Sequence, residues 1–206
     1  LEFRRVLFRS VQSFVTLLLV ALSLTFAACS KPENATVSPP KPSASAPVSD
    51  PLAALATQGK GFTVGAMMSA QTVYVMFDPQ CPHCGHLWEA SKPLHKKAKF
   101  VWMPVAIING KSAPQGAALL SAANPMELMS THEQSILTNQ GGIAASASVS
   151  PEIEAAIKQN TQLFTSMQID SVPYIVVKNA RTGQVVTNNG ALTTAALADF
   201  IGVDQP

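Results

Sequence analysis

Apolar residues fall along this chain in short runs broken by polar, glycine and proline positions, the rhythm of strands alternating with helices. The run Val73-Tyr74-Val75-Met76-Phe77 has no charged position, which predicts a strand over 72–78 lying centrally, covered on both faces. A second strand is predicted over 61–65. A third, over 99–108 (KFVWMPVAII), contains Pro104, which has no N–H for a ladder and so implies an irregularity or a sheet edge. Helices are predicted over Pro51–Gln58, over 82–98 with a kink at Pro93, and over 113–123, 125–139 and 151–168. The last of these is opened by Ser150-Pro151-Glu152 as N-cap and first turn. Tyr174–Lys178 and 184–187 predict a hairpin around Asn179-Ala180-Arg181-Thr182-Gly183, and 193–201 a closing helix. No internal repeat is evident.

The first part of the chain has a different pattern. Arg4, Arg5 and Arg9 precede the apolar run 14–28 (FVTLLLVALSLTFAA), too short for a spanning helix and in the order of a bacterial export signal. The chain begins with Leu1, so residues 1–10 are open to being foreign sequence. The run ends in Phe26-Ala27-Ala28-Cys29, which resembles the lipobox of bacterial lipoproteins, with Phe26 replacing the usual Leu-like residue. Lipid on Cys29 is the expectation, because the odd thiol of three would otherwise stay free in an oxidising compartment. Residues 29–50 are rich in Pro, Ser and Ala and cannot bury a core, so they are expected to form a disordered tether. In an extended form the tether reaches about 60 Å. Of the 206 residues, 51–206 then form one folded domain. The whole chain carries a formal charge of +2. Removing 1–28 takes away three Arg and Glu2 and balances it, which gives no reason to expect nucleic acid as a partner.

Candidate chemistry centres on Cys81-Pro82-His83-Cys84, set between the central strand and a helix. Thiols at i and i+3 on a first helical turn can close a small-ring disulfide. The unpaired N–H groups and dipole at that helix end stabilise a thiolate on the first of them. Pro82 suits the first helical position, and His83 can add positive charge beside Cys81. Zinc would need four ligands, and beyond this pair there are only the scattered His86, His95 and His132. Haem attachment needs Cys-x-x-Cys-His, and Gly85 stands where the His would be. Asp78 either assists proton transfer to Cys84 or shapes the turn before it. His86 is expected in solvent. Trp88 and Trp102 are expected in the core, and Met67, Met68, Met126, Met129 and Met167 in the core or lining a groove.

The order strand, dithiol helix, strand, helices, strand, strand, helix is that of an α/β thioredoxin-like fold with a helical segment inserted at about 113–168. Phe77-Asp78-Pro79-Gln80-Cys81-Pro82-His83-Cys84, Leu87-Trp88, Lys92-Pro93, Ser112-Ala113-Pro114, Ala117-Ala118-Leu119-Leu120 and Asn124-Pro125 resemble the catalytic domain of the periplasmic disulfide isomerases DsbG and DsbC, nearest to DsbG. The resemblance spans about residues 61–202. It implies a protein thiol-disulfide oxidoreductase without cofactor or bound metal, acting on cysteine-containing exported proteins. Cys81 would be the nucleophile, Cys84 the resolving thiol, and Val172-Pro173 a loop facing them across a cis bond, with Val172 and Tyr174 in the substrate groove. It also implies a periplasmic location and a membrane redox partner of the DsbD or DsbB type. The family's dimerisation domain does not precede the first catalytic strand here, so a monomer is expected. Pro82-His83 and Val172 are closer to the oxidase DsbA than to DsbG. A copper-binding thioredoxin-like lipoprotein is the alternative, since two soft thiolates can hold Cu(I).

Overall fold

The computed structural model describes residues 50–145 and 149–206. The export signal expected over 1–28, the lipidation expected at Cys29 and the tether up to residue 49 lie outside the described residues. Five strands form one sheet: β1 (Phe62–Gly65), β2 (Thr72–Phe77), β3 (Lys99–Pro104), β4 (Tyr174–Lys178) and β5 (Val185–Asn189). Their spatial order is β1-β3-β2-β4-β5. β2 and β3 run parallel, and the other three pairings are antiparallel. β2 is therefore central, as its all-apolar run predicted.

The strands alternate strictly between two apolar layers, because successive side chains leave a strand on opposite faces. Val73, Val75, Phe77, Phe100, Trp102, Ile175 and Val177 enter one core with Cys84, Leu87, Trp88, Met129 and Leu197. Met76, Met103 and Val176 enter the other with Leu55, Leu163 and Phe164. The first layer is thus covered by α2 (Pro82–Ser91), α4 (Pro125–Leu137) and α6 (Thr194–Ile201), and the second by α1 (Pro51–Gln58) and α5 (Pro151–Ser166). With α3 (Ser112–Leu120), α4 and α5 make up the inserted helical segment between β3 and β4. Trp88 and Trp102 are both fully buried and meet edge to face at 5.2 Å between ring centroids, fixing α2 against the sheet.

Several boundaries differ from the sequence pattern, each for a local reason. The helix expected over 82–98 ends at Ser91 and passes into a 3-10 turn over Lys92–Leu94 instead of kinking. Pro93 has no N–H for the carbonyl four residues back, and its ring collides with that carbonyl. β3 stops at Pro104, well short of residue 108, and is an interior strand. Its pairing with β1 ends at Trp102, so the ring of Pro104 meets no ladder on that side. The helices expected over 113–123, 125–139 and 151–168 stop three, two and two residues early. Asn139 and Gln168, just beyond the last two, take positive φ as chain reversals. β5 runs to Asn189, beyond the expected 187. Met67 and Met68, expected in the core or a groove, project into solvent in the turn after β1, and Met126 is half exposed. Met129 is fully buried, as that expectation had it.

Candidate active site

Cys81 is the N-cap of α2, with extended backbone (φ −99°, ψ 111°) and no side-chain capping bond, and Pro82 occupies the first helical turn. Its sulfur is thus placed where the free N–H groups of the helix converge. Cys81 is 5 % exposed and Cys84, one turn on, is 0 % exposed. Both are free thiols in this structure. Hydrogen bonding from the Cys84 thiol is the largest influence on Cys81 and outweighs the opposing effect of burial. Backbone N–H groups and the charge of His83 add to it, and together they lower its pKa to about 6. Burial pushes Cys84 well above the ordinary thiol range, with the hydrogen bond to Cys81 and the nearby Glu133 acting in the same direction. The two sulfurs are therefore unequal: a thiolate at the helix N-terminus and a protonated thiol one turn beneath it.

The Val172-Pro173 peptide bond is cis, and the Val172 carbonyl oxygen lies 3.5 Å from Cys81 Sγ. Pro173 is buried, while Val172 and Tyr174 are half-buried; Val172 packs against both apolar layers and Tyr174 against the one on the other side of the sheet. His83 and His86 are both exposed on α2. The structure thus brings Cys81, Pro82, His83, Cys84, Val172 and Pro173 to one place at the end of the central strand. Tyr174 follows as the first residue of β4.

Asp78 shapes the approach to the dithiol. Its fully buried carboxylate accepts hydrogen bonds from the N–H groups of Gln80, Ile107 and Ile108 and from the Ser112 hydroxyl, at 2.7–3.0 Å, while its backbone carbonyl accepts from Cys81 N–H. With four donors directed at it, the carboxylate is committed to the turn and has no free lone pair directed at Cys84. The same bonds hold Ile107 and Ile108 beside the turn with their side chains 42 % and 46 % exposed.

No role in the site was assigned from the sequence to Gln80, Gln115, His132 or Glu133. The Gln80 side-chain amide bonds Gln115, the Gly141 carbonyl and Asn109, and Gln115 in turn donates to the carbonyls of Gly141 and Ile143. His132 is buried without charge: Nε2–H donates to the Pro79 carbonyl at 2.7 Å, Nδ1 accepts from Ile143 N–H at 3.2 Å, and burial lowers its pKa. Beside it Glu133 is fully buried, and neither carboxylate oxygen has a hydrogen-bond partner among the described residues. A signal existed for this pair. Met129, His132, Glu133 and Ile136 fall on one helical stripe, so two ionisable residues share the buried face.

Among the described residues no group of three or more His, Cys, Asp or Glu side chains gathers where it could hold a metal ion. Nor is any helix among them long and apolar enough to cross a membrane.

No family model matches the chain. The catalytic domain of Proteus mirabilis ScsC superposes with a TM-score of 0.56 at 14 % identity, over 72 % of this chain and 90 % of that one. A periplasmic thioredoxin-like protein from Salmonella enterica serovar Typhimurium does so with a TM-score of 0.57 at 16 % identity, over 72 % and 92 %. The fold is thioredoxin-like. In sequence, this thioredoxin-like chain is similar to the thiol:disulfide interchange protein DsbG of Pseudomonas aeruginosa, 30 % identical over 144 residues that make up 67 % of this chain and 54 % of the relative. It is also 28 % identical to DsbG of Escherichia coli K12 over 108 residues, 50 % of this chain and 42 % of that protein. The thioredoxin-like chain thus spans about half the length of the curated relatives it matches.

Proposed function

We propose that this chain is a thiol-disulfide oxidoreductase that exchanges disulfides with cysteine-containing exported proteins in the periplasm. The observation that carries the reading is the inequality of the two thiols: Cys81 at a helix N-terminus with its pKa lowered to about 6, and Cys84 buried and held protonated one turn below. Such a pair separates attack from resolution. The Cys81 thiolate attacks one sulfur of a client disulfide, forming a Cys81–client disulfide and expelling the other client sulfur as a thiolate. Cys84 then gives up its proton and attacks Cys81 Sγ. The Cys81–Cys84 bond forms, the Cys81–client bond breaks, and the second client thiolate leaves. The client gains two electrons and the chain loses two. The reverse sequence, starting from the Cys81–Cys84 disulfide, oxidises a client dithiol.

Val172 and Pro173 on one side, and the exposed Ile107 and Ile108 on the other, form the surface assigned to the client. The similarity to DsbG supports a disulfide-interchange role and a periplasmic location. The low Cys81 pKa supports an oxidising couple, because a stabilised thiolate favours the reduced form of the chain and so makes its disulfide the stronger oxidant. Return of the pair to its working state is assigned to a membrane redox protein of the DsbD or DsbB type. Anchoring is assigned to lipid on Cys29. Among the described residues no third His, Cys, Asp or Glu side chain joins the two thiols to favour the copper-binding reading.

Trapping tests the assignment. Cys84→Ala should accumulate mixed disulfides with exported proteins, seen as reducible adducts on non-reducing gels, and Cys81→Ala should accumulate none. Adducts through Cys84 in the second variant would overturn it.

A further inference from the structure

Resolution of the mixed disulfide needs somewhere to put the Cys84 proton, and the thiol is fully buried. Asp78 is committed to four donors. His132 has its Nδ1 lone pair occupied by Ile143 N–H and its Nε2–H on the Pro79 carbonyl. One ionisable group close to the thiol has unused capacity. Glu133 is 0 % exposed and both of its oxygens lack a hydrogen-bond partner among the described residues. A carboxyl buried without partners is costly, and such groups concentrate at functional sites.

The placement of Glu133 depends on the residue beside the thiol. Gly85 follows Cys84 on α2, and a Cβ built there would lie 2.9 Å from Glu133 Oε2 and 3.0 Å from Leu137 Cγ. Gly85 is in ordinary helical conformation and has no backbone need to be glycine. In the middle of a helix glycine costs stability relative to alanine. The missing side chain opens a notch in α2, and the notch admits the carboxyl of α4 beneath the first turn. Resting on the dithiol reading above, we propose that Glu133 is the group that takes the Cys84 proton when the mixed disulfide resolves, with Gly85 as the notch that admits it. The inserted helical segment then contributes to the chemistry as well as to the fold.

In the step, a Glu133 carboxylate oxygen accepts H+ from Cys84 Sγ, the resulting thiolate attacks Cys81 Sγ, and the client sulfur leaves with the electron pair of the broken bond. In the reverse direction Glu133 returns the proton to Cys84. The charges around it give the timing. The titratable groups acting on Glu133 are Cys81 and Glu89 from α2 and Asp78 from the turn before it, with Cys84 of α2 close by; His83 and His86, also on α2, are exposed. α3 and β1 contribute no titratable side chain. Burial, and then the negative charge of the Cys81 thiolate, are the largest influences holding Glu133 protonated. When Cys81 becomes part of a mixed disulfide its negative charge disappears, and although burial and the charges of Glu89 and Asp78 still oppose ionisation, Glu133 releases its own proton to bulk water more readily at that stage than in the reduced chain and then serves as base for the second step.

A single-turnover experiment on the full reduced chain with a substoichiometric amount of the chromogenic disulfide dithiobis(nitrobenzoate) separates the steps. The first aryl thiolate released reports attack by Cys81, and the second reports closure by Cys84. Glu133→Gln should leave the first phase within about twofold and slow the second by about 100-fold at neutral pH, the lower end of what a positioned acid–base group contributes. The second phase of the variant should rise in proportion to hydroxide, whereas that of the wild type should level off once Glu133 has ionised. Glu133→Asp should recover part of the rate, and Gly85→Ala should slow the second phase with Glu133 still present. A second phase in Glu133→Gln with the wild-type rate and pH profile would overturn the proposal. A wild type with no second phase at all would instead defeat the dithiol reading on which it rests.

Discussion

Cys81 carries most of the account at the scale of single residues. With its pKa lowered to about 6, the ultraviolet thiolate absorbance of the reduced protein should show a transition near that pH. A midpoint near the free-thiol value of about 8.5 would contradict it. The folded-state pKa is depressed, so the group stabilises the reduced protein above the unfolded-state pKa, and this stabilisation is lost as pH falls through about 6. The disulfide form has no such group. Melting temperatures should therefore move toward the oxidised form on going from pH 8 to pH 5. Asp78→Ala removes an acceptor with four buried donors and should destabilise the protein by about 2–4 kcal/mol in denaturant melts. A change within about 0.5 kcal/mol would contradict its assigned place in the turn. Cys81 and Cys84 were legible in the sequence because their spacing alone brings them together on a helix. Glu133 was not assigned to the site, since its proximity to Cys84 depends on how α4 packs across Gly85, a contact between residues distant in the chain.

At the scale of elements, the inserted helices are fastened to the sheet by a few buried polar side chains. Asn160 on α5 is fully buried; it accepts from Lys60 N–H at 2.8 Å and donates to the carbonyls of Lys60 and Pro104 at 2.7 and 3.0 Å. It therefore ties α5 to the chain entering β1 and to the end of β3. Asn160→Leu leaves one N–H and two carbonyls without this partner and should cost about 2–3 kcal/mol of stability, measured by chemical unfolding. The thiolate titration of Cys81 should stay unchanged. A shifted titration would mean that α5 supports the site directly. The strand and helix sequence was readable because the β2 and β4 runs are apolar on both faces and Pro residues stand at the starts of α1, α2, α4 and α5. Helix ends were read too late, since Pro93, Asn139 and Gln168 end or reverse the helix through local backbone conformations that hydrophobic periodicity does not encode.

At the scale of the whole molecule, two apolar layers flank one sheet and the dithiol lies at the end of its central strand. We propose that residues 50–206 fold alone and remain monomeric. Sedimentation at micromolar concentration should give the mass of one chain, and a stable dimer would contradict this. We propose that Cys81 and Cys84 form a reversible two-electron couple poised by the stabilised Cys81 thiolate. Each tenfold gain in thiol acidity is worth about 1.4 kcal/mol, or roughly 30 mV in a two-electron couple. Equilibration of the protein with glutathione buffers, followed by acid quench and thiol counting, measures this directly. One two-electron transition is expected, at a potential well above the roughly −270 mV of thioredoxin. A pair that stays as two free thiols throughout, or a midpoint at the thioredoxin value, would contradict it.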